Sequence, residues 1–366
     1  MFNPDRFSLA RRRAGRTKKD VAEALGVHQH TILRYEAGET EPPPEAVAHI
    51  SRVLGFPEAF FFGQSLDEPP KDSASFRSMS DMAARDRDAA LAAGALAFSV
   101  DDWVRERFDL PKTDILDLTG EEPEAAARAL RQVWSLGEKP IRNMVHLLEA
   151  KGIRVFSLAE NTRAVDAFSM WRQKTLSPYV FLNTLKSAEH SRMDAAHELA
   201  HLVLHKHGGP GGREAELEAQ RFASSFLMPR ADIIATLPRV YSLQQLISSK
   251  NRWGVSVAAL NYRLHRLNIT SEWQNRDLCI QISQLGYRYK EPEGTERARE
   301  MSVVWPKILE ALRKENISQN FIAETLYLPA AELEKLLFML APMLSLDGGR
   351  RSPSQRSRAD LTVISG

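Results

Sequence analysis

The feature that most constrains this chain is the run His197-Glu198-Leu199-Ala200-His201. On an α-helix, residues four apart lie on one face, so both imidazoles project together at a spacing that spans one Zn2+. Glu198 lies beside them. A zinc ion held there polarises a water and a carbonyl, and the neighbouring glutamate can take the water's proton and pass it to a leaving amine. The flanks, Asp194-Ala195-Ala196 before and Leu202-Val203-Leu204 after, describe a largely buried helix. Unliganded His, Glu and His together would be costly in such a place.

A catalytic zinc site needs a third protein ligand. The single cysteine, Cys279, excludes an internal disulfide and a cysteine-based zinc knuckle, and reads as a small buried apolar residue. Carboxylates are therefore the first candidates: Glu214, Glu216 and Glu218, with His205 and His207 behind them. Glu218 opens the helical segment Glu218 to Pro229, whose small and aromatic residues suit close packing against the first helix. Glu214 lies one turn earlier on the same face and could instead orient a ligand histidine. His205 continues the stripe of His197 and His201, in an orienting or surface position.

The N-terminus carries a different pattern. In Thr17 to Val27, apolar positions 21, 22, 25 and 27 make one short helix face that ends at Gly26, a residue able to take a left-handed turn. A second helix follows, with Ile32 turned inward and Gln29, His30, Thr31, Leu33 and Arg34 facing outward. Two short helices around a glycine turn form a helix-turn-helix unit. Although the net charge of the whole chain is only +2, residues 1 to 35 hold a local basic excess of about five, which would serve as an electrostatic footprint for phosphates.

At 366 residues, with 43% hydrophobic and 26% charged residues, the chain suits two or three domains. No apolar run approaches the roughly 20 residues needed to cross a bilayer, and the start lacks the features of a signal peptide, so the expected location is cytoplasmic. The expected fold class is mainly α with a small α+β zincin-like domain, an all-α helix-turn-helix domain at the N-terminus and a helical C-terminal segment. The expected divisions are a helix-turn-helix domain over 1–65, a helical linker over 66–136 and a metallopeptidase domain over 137–268. A helical C-terminal domain over 269–348 and a disordered tail over 349–366 follow. β-rich runs at 153–156, 167–171 and 179–182 predict a small sheet ahead of the key helix. Either of the last two could offer an edge to an extended substrate.

An offset of 301 residues sets Thr17, Val21, Ala22, Leu25, Val27 and Ile32 against Ser318, Ile322, Ala323, Leu326, Leu328 and Leu333. The apolar positions coincide, which predicts a degenerate second helix-turn-helix shape over 317–338. There Tyr327 and Pro329 depart from the turn pattern, and packing is expected rather than DNA reading.

The N-terminal region resembles the Xre/Cro-type repressor domain through Leu25-Gly26-Val27, Ile32 and Arg34-Tyr35-Glu36-Ala37-Gly38 followed by Pro42. That resemblance implies a recognition helix from about His28 to Glu36. Gln29, His30 and Thr31 would lie near base edges, and Arg11, Arg16, Lys18 and Arg34 near phosphates. The middle of the chain resembles the ImmA/IrrE metallopeptidases, in the form fused to an Xre-type domain. Besides residues 197–201, the likeness rests on Pro140-Ile141, Gly152-Ile153, Ala167-Phe168-Ser169, Pro178-Tyr179-Val180, Arg192-Met193-Asp194, Leu204-His205 and the Glu218-Ala219 to Met228-Pro229 block. Ala200 stands where many members have glycine. The resemblance implies a gluzincin-like Zn2+ site with His197, His201 and Glu218 as ligands and Glu198 as general base.

The function expected from these readings is a transcriptional regulator that binds a double-stranded DNA operator, works as a homodimer without a membrane, and cleaves a protein substrate such as a repressor. Stress or mobile-element control would be its setting. The alternatives are a repressor whose zinc site is structural or inactive, and a phage-defence or toxin-antitoxin component.

Overall fold

A computed structural model describes residues 1–70, 83–158, 167–207, 212–337 and 340–341, and the backbone of 359–360. The architecture is mainly helical with one small three-stranded sheet. Two compact units divide the chain. The first comprises Met1–Pro111, Phe156–Val165 and Val303–Ile364, and the second Lys112–Val155, Asp166–Ser302 and Ser365–Gly366. These units cut across the linker expected over 66–136 and run past the division expected at 268. The tail expected to be disordered lies outside the described residues, apart from the backbone of 359–360.

In the first unit, α1 (Pro4–Arg13), α2 (Lys18–Leu25), α3 (Gln29–Glu36) and α4 (Pro44–Leu54) precede a 3-10 turn, Glu58–Phe62. Local signals start and stop these helices. Thr17 and Asp20 form a reciprocal capping box at the start of α2, and Gly26 ends it in the left-handed conformation at φ 67°. Phe7, Val21, Ile32, Ile50, Phe60 and Phe61 are fully buried and make this module's core. Helix α5 (Ala84–Arg105) follows. It is helical as the sequence predicts, but it is no solvated connector, because every residue from Ala89 to Phe98 is buried. Its alanines carry too little apolar surface to announce a core helix, yet they let neighbours approach closely. The unit also holds α14 (Val304–Lys314), α15 (Gln319–Thr325), α16 (Ala330–Leu337) and the parallel two-residue pairing of β1 (Phe108–Asp109) with β5 (Ala359–Asp360).

The second unit holds α6 (Pro123–Val133), α7 (Met144–Ala150), the start of β2 (Arg154–Ser157), β3 (Ala167–Arg172) and β4 (Ser177–Leu182). Next come α8 (Ala188–Leu204), α9 (Arg213–Leu227), α10 (Arg230–Thr236), α11 (Leu243–Ser249), α12 (Val257–Arg266) and α13 (Glu272–Gln284). The sheet order is β2-β4-β3, with β3 and β4 antiparallel and Phe168 opposite Phe181. Those two rings stack at 4.3 Å. β4 is therefore central, and β2 and β3 are the two edge strands. At Gly152, φ is 75° and an added Cβ would lie 2.3 Å from the Lys112 carbonyl oxygen, so only glycine fits this turn between α7 and β2.

Candidate metal centre and nucleic-acid face

Helix α8 starts at Ser187, whose hydroxyl accepts the His190 amide. Two buried ionic clusters hold its first turns. Arg192 donates from Nε to the Trp253 carbonyl at 2.9 Å, from Nη2 to the Ile141 carbonyl at 2.5 Å and from Nη1 to Glu300. The other Glu300 oxygen accepts the Met144 amide at 2.7 Å. Lys250, fully buried, lies 3.1 Å from Glu189 and 3.2 Å from Glu291. Burial pushes the Glu291 carboxyl up, against the pull of Lys250. Neither Glu300 nor Glu291 announces itself in the sequence, because each partner lies far along the chain.

One turn after these anchors, α8 presents His197, Glu198 and His201, while α9 packs against α8 and presents Glu216. His197 Nε2 is 3.2 Å from His201 Nε2, and the two oxygens of Glu216 lie 3.1 Å from His197 Nε2 and 3.2 Å from His201 Nε2. Tetrahedral bonds of about 2.0–2.1 Å would set ligand atoms roughly 3.3–3.4 Å apart. Each of these spacings is thus close to the edge length of a zinc coordination tetrahedron, with a different oxygen of Glu216 facing each histidine. No other such group of three occurs among the described residues. Glu198 Oε2 is buried without a hydrogen-bond partner, as expected of a group aimed at something that a protein side chain does not supply.

The electrostatics set the two histidines apart. Burial drives the His201 imidazole down to about 4, with the nearby His197 and His205 acting in the same sense against Glu216, so His201 offers a free lone pair at neutral pH. Burial opposes charge on His197 too, but its bond to Glu216 and the charges of Glu198 and Glu216 prevail and raise it. Burial likewise opposes charge on Glu216, yet the two histidines hold its carboxyl well below the usual range. Burial lifts Glu198 to about 7, partly countered by His197 and Ser169.

Glu218, expected as the third ligand, does not join the two histidines. Its Oε2 lies 2.9 Å from His205 Nε2, and His205 Nδ1 lies 2.9 Å from His201 Nδ1. Two residues along a helix turn a side chain by about 200°, so Glu216 and Glu218 meet different partners. Glu214 is exposed. His205 caps the end of α8 and is buried, whereas His207 is exposed and pairs with Asp117 at 2.5 Å. Cys279 is half-buried and accepts from the Asn261 side-chain amide at 3.4 Å. Edge strand β3 packs on α8, and Ser169 Oγ donates to the Glu198 carbonyl at 3.1 Å.

In the N-terminal module, Gln29, His30 and Arg34 are exposed on α3, and Thr31 is half-buried. Arg16 is exposed as well. Arg11 and Lys18 are tied inward, both to Glu36, at 2.6 and 2.9 Å.

Residues 148–265 match the family model described as the IrrE N-terminal-like domain, Peptidase_M78. Residues 5–59 match a helix-turn-helix domain. The chain joins a helix-turn-helix domain to an IrrE N-terminal-like peptidase domain. No curated protein matches it. The IrrE N-terminal-like match takes in the whole of α8 and α9, and with them every side chain of the candidate metal centre. Residues 266–366 lie outside both matches.

Proposed function

We propose that the chain is a DNA-binding transcriptional regulator and a zinc-dependent endopeptidase that cleaves a repressor or partner protein in the cytoplasm, in stress or mobile-element control. The observation that carries this reading is the convergence of His197 Nε2, His201 Nε2 and Glu216 on one point, with Glu198 buried beside them. His197, His201 and Glu216 would hold the metal. Zinc, when bound, supplies a Lewis acid that polarises the scissile carbonyl and acidifies water.

The chain's own residues account for the remaining steps. Glu198 Oε2 accepts the proton of the attacking water and returns it to the leaving amine, a task suited to a carboxyl lifted to about 7. Edge strand β3 lies against α8 and can receive an extended peptide through its main-chain groups. Such pairing would lead the peptide past Ser169 toward Glu198. On the other module, α3 would enter the major groove with Gln29, His30 and Thr31 near bases, and Arg16 and Arg34 near phosphates. A second copy would take the second half-site.

The test is the metal content of chain purified without chelators, measured by plasma mass spectrometry beside His197→Ala and Glu216→Ala. One zinc per chain, lost in both variants, is the expected result. A metal-free wild type would overturn the peptidase reading. Glu198→Gln should keep the zinc and stop cleavage of the partner protein.

A further inference from the structure

The segment beyond both family matches repeats the N-terminal module. Moved on by 301 residues, α3 becomes α16 residue for residue, and α1 and α2 fall on α14 and α15 to within one residue at their ends. The caps follow. Thr17 accepts the amide three residues on, Asp20, and Ser318 accepts the amide three residues on, Phe321. The turns follow as well. Gly15 and Asn316 share a φ of 59°, and Gly26 at 67° has Tyr327 at 55° as its counterpart.

Main-chain bonding is duplicated in the same register. Arg16 to Arg11 at 3.0 Å repeats as Ile317 to Leu312 at 2.9 Å, and Val27 to Ala22 at 3.0 Å as Leu328 to Ala323 at 2.8 Å. The core positions Phe7, Val21, Ala22, Ile32 and Tyr35 return as buried Ile308, Ile322, Ala323, Leu333 and Leu336. Tyr327 thus holds a left-handed turn that favours glycine, between the buried Ala323 and Leu328.

Of the outward residues only Arg34 keeps its charge, as Lys335, which pairs with Glu332 at 2.6 Å. Gln29 and His30 become Ala330 and Ala331, Arg16 becomes Ile317, and Leu33 becomes Glu334. No bidentate base reader remains at the start of α16. The counterpart of Thr31 is Glu332, which is 7% exposed and paired with Arg13 of α1 at 2.5 Å. Ala330, Ala331, Glu334 and Lys335 stay exposed, and the helix meets protein at the flank of that face, through the buried Glu332.

We propose that Val304–Leu337 is a second helix-turn-helix module that binds protein in place of DNA, its reading helix docked on the N-terminal module of the same chain through Glu332 and Arg13. The docking does not depend on the reading of the metal site, and only its contrast with the first module rests on that module's reading of DNA.

Hydrogen exchange on the full-length chain tests the docking. In Glu332→Arg, amides at the end of α1 and in α16 should exchange at least about tenfold faster, and the reciprocal pair Arg13→Glu with Glu332→Arg should restore protection. Unchanged exchange at α1 in the single variant would overturn the proposal. A photo-crosslinking residue at position 30 or at position 331 then probes duplex DNA enriched on the full-length chain from a random pool. Capture at 30 and none at 331 is expected, and capture at 331 would overturn the proposal. Silence at both would sink the DNA reading of the first module, while the exchange result would still decide the docking.

Discussion

Glu218 and His201 communicate through His205: the Glu218 carboxylate lies 2.9 Å from one nitrogen of His205, and the other nitrogen lies 2.9 Å from His201 Nδ1. If His201 Nε2 gives its lone pair to a metal, its proton sits on Nδ1 and is donated to His205. His205 then donates its own Nε2 proton to Glu218. Such a relay fixes the tautomer and the ring angle of the ligand. Glu218→Gln should therefore weaken zinc binding by about 10 to 100-fold while keeping one zinc per chain at saturation. Glu216→Gln should lose far more. Competition titration with a chromophoric chelator measures both, and the reverse order would make Glu218 the ligand.

The Arg13–Glu332 pair carries a pH dependence. Burial opposes ionisation of Glu332, but Arg13 and Lys335 overcome it and hold the carboxyl below its ordinary value. A carboxyl lowered in the folded state stabilises above its unfolded pKa, and that contribution fades as the pH falls toward the folded value. The thermal midpoint of wild type should thus exceed that of Glu332→Gln by a constant margin above about pH 5, and the margin should shrink below roughly pH 4.3. Calorimetry across that range gives the answer, and a margin growing toward acid would refute it.

Arg192 has no exposed side-chain surface, and Glu300 has almost none. Removing one partner strands the other charge in the interior, at a cost of about 3–5 kcal/mol. Glu300→Ala should lower the unfolding midpoint by on the order of 10 °C, whereas Glu293→Ala, at an exposed pair, should change it hardly at all. A mild Glu300→Ala phenotype would mean that this cluster does not anchor α8.

Two arginines of the N-terminal module should behave differently. Arg34 is exposed, so Arg34→Ala should weaken operator binding and flatten its salt dependence by about one unit of slope. Arg11 is tied to Glu36 and to the Arg16 carbonyl. Arg11→Ala should chiefly destabilise the module. Salt titrations of DNA affinity beside melting curves separate the two effects, and equal salt slopes for both variants would contradict the assignment.

Legibility in the sequence followed the range of each interaction. The Gly26 turn and the four-residue spacing of His197 and His201 are local, and the structure repeats them. The choice among Glu214, Glu216 and Glu218 was not local. Ala215, Ala219, Phe222 and Phe226 form the buried stripe of α9, and residues 216 and 218 flank it on opposite sides. Only the way α9 packs on α8 decides which side meets the histidines. The burial of α5 was hidden for a different reason, since alanine says little about whether a helix face is wet or dry. Glu300 lies 108 residues from Arg192, and nothing near either residue points to the other.

The pairing of Arg13 with a residue 319 positions later also sets an order of assembly on the ribosome. At about 5–20 residues per second, α1 would wait roughly 15 to 60 s for its partner. All of Lys112–Ser302 is synthesised in that interval, so the second unit can finish folding while the first still lacks its last helices. A chain ending at Ser302 would keep every residue of the candidate metal centre and its Arg192–Glu300 anchor, while Arg13 would lack the Glu332 carboxylate.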